Sequence, residues 1–243
     1  MNRLSTEKQA QILACLVEGN SMRATCRIAG VAKKTPEKLL RDIGQACWDY
    51  HNKHVRNLTV KRVQCDEVWS FVGCKSKNVP ISKRQLFGWG SVWTWTAIDS
   101  DSKLMIAWHV GERNVRSALT FMHDVRSRLA NRVQLTSDGW RPYLQATAGA
   151  FNYQVDYAML EKIYGPDPNV NKPEARYSPG VCVGAKKIYI CGYPDEQHIS
   201  TSYAERNNLT MRMQMRRFTR LTNGFSKKLD YHCHALGECP RRS

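Results

Sequence analysis

The first 50 residues carry apolar positions at the three- and four-residue spacing that is typical of α-helices. One stripe runs through Leu13, Leu16 and Val17, with Thr6 placed to cap its helix. A short second helix can follow Ser21, and residues 30–32 (GVA) then predict a tight turn before a basic third helix. This order is typical of a helix-turn-helix unit, whose second element enters the major groove of DNA. The alternative is a small helical bundle with a solvated charged face.

The third predicted helix places its apolar residues inward and its basic residues outward. The inward positions are Leu39, Leu40, Ile43 and Cys47. Pro36 leaves the start of this helix open. A start near Lys33 would lose a backbone donor, whereas a start at Thr35 would place the proline at the first helical position. The predicted DNA contacts of this helix are Lys33, Lys34, Lys38 and Arg41.

From Arg62 onward the apolar period changes to two, which indicates strands. Residues 62–71, 92–98 and 104–110 predict three strands, and the turn 99–102 (DSDS) joins the last two. An amphipathic helix over 115–129 and a short buried strand over 133–136 follow. Further elements are a helix from Pro142 to about residue 148, a strand over 157–160 and a helix over 201–218. This order predicts an α/β, ribonuclease-H-like mixed-sheet core in which the first strand pairs beside the fourth.

The chain therefore divides into four predicted parts. Residues 1–50 form the helix-turn-helix domain and residues 51–61 a linker. Residues 62–228 form the catalytic domain, with an insertion at about 164–197 that is rich in Pro, Gly and Lys. Residues 229–243 form an atypical tail that is predicted to be poorly ordered.

The net charge of the chain indicates which class of partner these domains bind. The 243 residues include 37 Lys and Arg against 21 Asp and Glu, a formal net charge of +16. Such an excess favours nucleic acid over an anionic membrane surface. No stretch reaches the roughly 20 apolar residues of a membrane span. An odd number of cysteines without a secretory signal predicts reduced thiols and a cytoplasmic location.

Three carboxylates stand in surroundings suited to divalent metal binding. Asp66 lies in an apolar strand, where an ionised carboxylate is costly unless it is paired or binds metal. Its neighbour Glu67 faces the other side of the strand, and either residue could be the ligand on chemistry alone. Asp138 ends a short strand, although an Asp-Gly turn is an equally good reading. Glu205 lies in the first turn of a helix. Two aspartates and a glutamate suit a pair of Mg²⁺ or Mn²⁺ ions.

The helix after Glu205 is basic on the side of that carboxylate, which suits it to hold a DNA strand by its phosphates. A solvated amphipathic helix is the alternative, since Leu209 and three methionines can supply packing. The loop after the first strand is basic as well. The predicted DNA contacts of these two segments are Lys75, Lys77, Arg206, Asn208, Arg212 and Arg216.

Five motifs together resemble the DNA transposases of the insertion-sequence-one family. They are residues 66–77 (DEVWSFVGCKSK), 111–113 (GER), 136–140 (TSDGW), 205–209 (ERNNL) and 224–228 (GFSKK). The resemblance implies an Asp-Asp-Glu enzyme that cuts element ends and joins them to target DNA in the bacterial cytosol. It implies that Asp66, Asp138 and Glu205 are the catalytic, metal-binding triad, and it favours Asp66 over Glu67. A homo-oligomer on double-stranded DNA is expected.

Two departures from the family pattern stand out. Pro36 replaces a position that is usually aliphatic in the recognition helix. After Lys228 the family continues with a hydrophobic helix, whereas this chain ends in residues 229–243 (LDYHCHALGECPRRS), as a truncation or a shifted frame would produce. The alternative function is therefore a catalytically inactive, truncated DNA-binding protein that regulates an intact transposase.

Overall fold

The computed structural model describes residues 4–165 and 181–237. Three helices begin the chain: α1 (Thr6–Val17), α2 (Met22–Ala29) and α3 (Lys34–His54). The cap of α1 is Ser5 and not Thr6, because the Ser5 hydroxyl accepts the Lys8 amide. Ser21 caps α2 as expected, and Gly30 ends that helix in the left-handed region, where glycine carries no steric cost.

Helix α3 is longer than the sequence pattern indicated. It runs for 21 residues, through the first part of the predicted linker, so that only residues 55–61 connect it to the sheet. Pro36 occupies the third helical position, where a backbone donor has no partner within the helix in any case. The proline therefore removes no hydrogen bond. Ile43 and Cys47, which were predicted to face inward, are exposed, and Gly44 is buried instead.

A six-stranded mixed sheet forms the centre of the protein. Its strands are β1 (Arg62–Val72), β2 (Gly90–Asp99), β3 (Met105–Gly111), β4 (Gln134–Asp138), β5 (Asp156–Tyr164) and β6 (Cys182–Cys191). Their spatial order is β3-β2-β1-β4-β5-β6. Strand β1 runs antiparallel to β2 and parallel to β4, so the predicted pairing of the first strand beside the fourth is present.

The side chains of β1 alternate between the two faces of this sheet. Val63 and Cys65 belong to the main core together with α4 (Val115–Arg128) and α5 (Pro142–Phe151). Gln64 and Asp66 point the other way, toward α6 (Ser202–Gln214), and the Gln64 side chain accepts the backbone N–H of Tyr203. Helix α6 ends four residues before the predicted boundary, and a short 3₁₀ turn over Arg216–Phe218 follows it.

The segment predicted as an insertion contributes to the sheet. Strand β6 lies within it and pairs antiparallel with β5, which makes β6 the edge strand. Sequence periodicity missed this strand because seven of its ten residues are exposed and none is buried, so neither face shows an apolar pattern. Residues 166–180 of this segment lie outside the described residues.

The predicted disorder of the tail is wrong for its first part. Residues Leu229–Ala235 form helix α7, and its His232 and Cys233 are buried. Cys233 packs with Val72, Val92 and Val110 in a small second core. Residues 238–243 lie outside the described residues. Within the described part of the chain, no helix is both long and apolar enough to cross a membrane.

Helix α7 also joins the N-terminal helices to the sheet. The buried Gly44 of α3 lies against the backbone of His234, where a side chain would not fit. Further along α3, His51 lies 3.1 Å from the backbone oxygen of Met105 in β3, and Asn52 accepts a hydrogen bond from Arg128 of α4. The N-terminal helices are therefore docked on the sheet through the second half of α3.

Candidate metal and nucleic-acid site

Three carboxylates converge where β4 ends beside β1. Gln64 pairs with Thr136, so Asp66 lies level with Asp138, the last residue of β4. Strand β1 continues beyond this point and carries Glu67. One carboxylate oxygen from each of Asp66, Glu67 and Asp138 lies within 4.8 Å of the other two. Like charges this close repel one another strongly unless a cation or a proton lies between them.

Asp66 is held on the α6 side of the sheet. Its Oδ1 accepts the backbone N–H of Glu67 at 2.8 Å, and its Oδ2 accepts the Asn208 amide at 2.9 Å. The pKa of Asp66 is raised to about 6, chiefly by burial and also by the charges of Asp138 and Glu205, while the two hydrogen bonds oppose this change. Asp66 is therefore a buried carboxylate with a fixed orientation, and it forms no ion pair with any of the described residues.

Glu67 belongs to the same cluster although it starts from the opposite face of β1. Its side chain is only 2% exposed, and burial together with the nearby Asp138 raises its pKa to about 8. Glu67 Oε2 accepts from Arg113 Nε at 3.2 Å, whereas the buried Oε1 has no hydrogen-bond partner. The Tyr143 hydroxyl is near enough to lower that pKa, but it misses hydrogen-bond geometry and is itself unpartnered.

Asp138 is the most accessible member of the cluster. Its Oδ1 accepts the backbone N–H of Trp140, which is the local geometry of an Asp-Gly turn. Its Oδ2 lies 3.5 Å from Arg113 Nη2. Burial raises the pKa of Asp138, while the Trp140 hydrogen bond and Arg113 oppose that change. Arg113 belongs to the motif of residues 111–113 (GER), but the sequence alone indicated no role for it.

Glu205 lies beside this cluster and is held by partners of its own. Lys162 of β5 forms an ion pair with Glu205 Oε2, and the Thr201 hydroxyl donates to Oε1. Its charge is still near enough to raise the pKa of both Asp66 and Asp138. The structure thus places all three predicted triad residues in one neighbourhood, with Glu205 outside the tight group of carboxylates.

The donor set fits a hard divalent cation. Such ions prefer carboxylate oxygens and tolerate several water ligands, which the half-exposed Asp138 leaves room for. The unpartnered and buried Glu67 Oε1 is an independent indication, since a buried polar atom without a partner is costly. Asp66, Asp138 and Glu67 could hold the ion directly, with Glu205 as a further ligand.

The basic residues predicted in α3 lie on its exposed side, but three of the four already have partners. Lys33 pairs with Glu37 at 3.1 Å, and Lys38 pairs with Asp42. The Arg41 guanidinium lies over the ring of Tyr231 in α7. Lys34 is exposed. Surface pairs of this kind contribute little stability, so the lysines could exchange their carboxylates for phosphate at small cost.

The predicted DNA contacts near the sheet divide into exposed and buried side chains. Lys77, Arg206 and Arg216 are exposed, and Lys75 is partly exposed. Asn208 is 2% exposed and donates a hydrogen bond to Asp66. It therefore lies in the protein interior and not on a DNA-binding surface. Arg212 is half-buried, and burial lowers its pKa while the nearby Asp66 raises it.

No protein-family model and no curated protein sequence matches this chain. Among solved structures it is similar to the piggyBac transposase synaptic complex with hairpin DNA, at 14% identity and a TM-score of 0.44. That alignment covers 97% of this chain and 65% of the other. The Mos1 transposase paired-end complex aligns at 12% identity and a TM-score of 0.28, over 65% of this chain and 60% of the other. The Mos1 strand transfer complex aligns at 11% identity and a TM-score of 0.29, over 98% of this chain and 76% of the other.

The chain thus spans less than two thirds of the length of the first two transposase chains. At these identities and TM-scores, conclusions about function depend on the residues of this chain.

Proposed function

We propose that this chain is a DNA transposase with a ribonuclease-H-like core, of the insertion-sequence-one type, that depends on Mg²⁺ or Mn²⁺. It cuts the ends of an element and joins them to target DNA. The observation that carries the proposal is the convergence of Asp66, Glu67 and Asp138 at the end of β4 in a protein of net charge +16. The cluster of carboxylates suits divalent ions, and the positive net charge suits DNA.

Each residue of the site has a distinct part in this proposal. Asp66 and Asp138 would hold the metal ions as ionised carboxylates, and Asn208 keeps Asp66 in its orientation. Glu205, which is paired with Lys162 in this structure, would complete the set of ligands. Bound divalent ions would align and polarise the attacking and leaving oxygens of a phosphodiester. Arg206 and Arg216, which are exposed on and just after α6, hold the DNA strand by its phosphates.

The N-terminal helices supply the second half of the proposal. Residues 1–50 act as a helix-turn-helix unit, with α3 presenting Lys33, Lys34, Lys38 and Arg41 to DNA. Because two ends of an element have to be joined to one target, more than one copy is expected to assemble on the DNA. Docking of α3 against β3 and α7 would fix the bound DNA relative to the carboxylates.

The test is a nicking assay on duplexes that carry the DNA flanking the coding sequence, with Mg²⁺ or Mn²⁺. Asp66→Asn and Asp138→Asn should abolish nicking and leave DNA binding unchanged or tighter, because each removes a negative charge that faces phosphate. Asp101→Asn, in the turn between β2 and β3, is the matched control and should nick normally. Normal nicking by Asp66→Asn would refute the site.

The alternative function makes a different prediction in the same assay. Wild-type protein that binds the duplexes with high affinity but nicks with neither metal would favour the inactive, regulatory DNA-binding protein. A melting temperature that rises with Mn²⁺ would then still report whether the carboxylates bind metal.

A further inference from the structure

Arg113 connects two carboxylates that come from different strands. It follows β3 and precedes α4, and its Nε donates to Glu67 Oε2 of β1 at 3.2 Å. Its Nη2 lies 3.5 Å from Oδ2 of Asp138, the last residue of β4. One guanidinium therefore bridges the two strands at the point where their backbone pairing has ended.

Two tryptophans hold this guanidinium in place. The Arg113 guanidinium carbon lies 4.9 Å from the ring centroid of Trp93 and 5.0 Å from that of Trp140. Both distances are within the range of cation–π attraction, and guanidinium groups stack on aromatic faces where an ammonium group cannot. Arg113 is thus restrained both by its contacts with the two carboxylates and by the two aromatic rings, and its side chain is still 34% exposed.

The two contacts of Arg113 are unequal. The contact with Glu67 is shorter, and Glu67 is almost fully buried, so that pair is shielded from water. The contact with Asp138 is longer, and Asp138 is 35% exposed. A cation that approaches from solvent therefore meets the weaker of the two contacts first, on the carboxylate that it can reach.

We infer that Arg113 is a positioning residue that supplies the positive charge of the acidic cluster before a divalent ion binds. It competes with that ion for Asp138 while it stays bound to Glu67. The inference rests on the proposed metal site and adds to it a residue of the chain that competes with the ion. It explains how repelling carboxylates keep their places in the metal-free protein, since no lysine and no other arginine of the described residues forms an ion pair with Glu67 or Asp138.

The test measures Mn²⁺ affinity by calorimetry and the melting temperature in EDTA, using the full chain without DNA. Arg113→Gln should melt at a lower temperature in EDTA, because Asp138 loses its cationic partner and Glu67 loses the hydrogen-bond donor to its Oε2. The same variant should bind Mn²⁺ about three- to tenfold more tightly, because the competing charge is gone. Arg113→Lys keeps the charge but cannot bridge both carboxylates, so it should fall between the wild type and Arg113→Gln in both measurements.

Arg116→Gln is the matched control, since Arg116 is exposed three residues further on and none of the ion pairs among the described residues includes it. It should leave both measurements unchanged. Equal or weaker Mn²⁺ binding by folded Arg113→Gln would overturn the inference and leave the metal site standing. If Arg113→Gln does not fold, an Arg113→Lys affinity no higher than wild type overturns it. An absence of Mn²⁺ binding in the wild type would refute the proposed site itself.

Discussion

Glu67→Gln should change the pH dependence of stability more than any other single substitution in the acidic cluster. Glu67 is 2% exposed, and its pKa is raised from 4.5 to about 8 by burial and by Asp138. Between these two values the folded protein keeps a proton that the unfolded chain has already lost. The free energy of unfolding therefore falls as the pH rises through this window and stays constant above it.

The magnitude follows from the width of the window. Each pH unit of difference is worth about 1.4 kcal/mol, so a fall of about 4 kcal/mol is expected in the wild type between pH 5 and pH 8. Glutamine resembles the protonated glutamate in shape and can still accept from Arg113 Nε. Glu67→Gln should therefore match the wild type at pH 5 and be the more stable protein at pH 9, by up to this amount.

Guanidinium unfolding in EDTA with a thiol reductant, followed by circular dichroism at pH 5, 6, 7, 8 and 9, would measure the difference. Glu18→Gln is the matched control, because Glu18 is exposed at the end of α1 and its substitution removes the same charge. Its stability curve should run parallel to that of the wild type. Saturating Mn²⁺ in place of EDTA should reduce the wild-type loss at high pH, since a bound cation offsets the repulsion that ionised Glu67 meets.

The reasoning would be refuted if the wild-type and Glu67→Gln curves stayed parallel from pH 5 to pH 9. Glu67 would then ionise as it does in the unfolded chain, and the buried cluster of three carboxylates could not exist in this form. A fall of similar size in Glu18→Gln and wild type is the expected pattern, with a clearly smaller one in Glu67→Gln, which keeps the raised pKa values of Asp66 and Asp138.

Two further predictions concern the N-terminal helices. Gly44→Ala should lower the melting temperature although alanine favours helix, because the added Cβ would lie 2.3 Å from the backbone oxygen of His234. The control is Ala46→Gly, on the exposed side of α3, which should cost only the difference in helix propensity, about 1 kcal/mol. An unchanged melting temperature in Gly44→Ala would contradict the packing of α3 against α7. Replacing the four basic residues of α3 by glutamine should weaken DNA binding and flatten its dependence on salt in a mobility-shift titration, and an unchanged slope would show that α3 does not contact phosphate. The four residues are Lys33, Lys34, Lys38 and Arg41.

Local patterns in the sequence were sufficient for most of the architecture. A period of two from Arg62 predicted β1, and the order of the following elements predicted that β1 lies beside β4. That pairing by itself brings Asp66 level with Asp138, because both residues stand two positions beyond the last paired residues. Strand periodicity and element order are encoded in neighbouring residues, so they can be read without the tertiary structure.

Elements without such a pattern needed the tertiary structure. Strand β6 is exposed on both faces, so it shows no alternation of apolar and polar residues. Helix α7 has few aliphatic side chains, and it is stabilised by the burial of His232 and Cys233 beside the sheet and by the packing of His234 against Gly44 of α3. Propensity is a weak guide where packing against distant residues decides the conformation.

The site itself shows the same division. The sequence by itself pointed to Asp138, to Glu205 and to either Asp66 or Glu67, and the family resemblance favoured Asp66 as the third member of the triad. Only the tertiary structure decided that Glu67 joins the cluster, that Arg113 bridges two strands and that Asn208 is buried against Asp66. These roles depend on which side chains meet across the fold, as Asn208 and Asp66 do over 142 positions. Such contacts, and the burial that raises the pKa of each carboxylate, arise only when the strands and α6 have packed together.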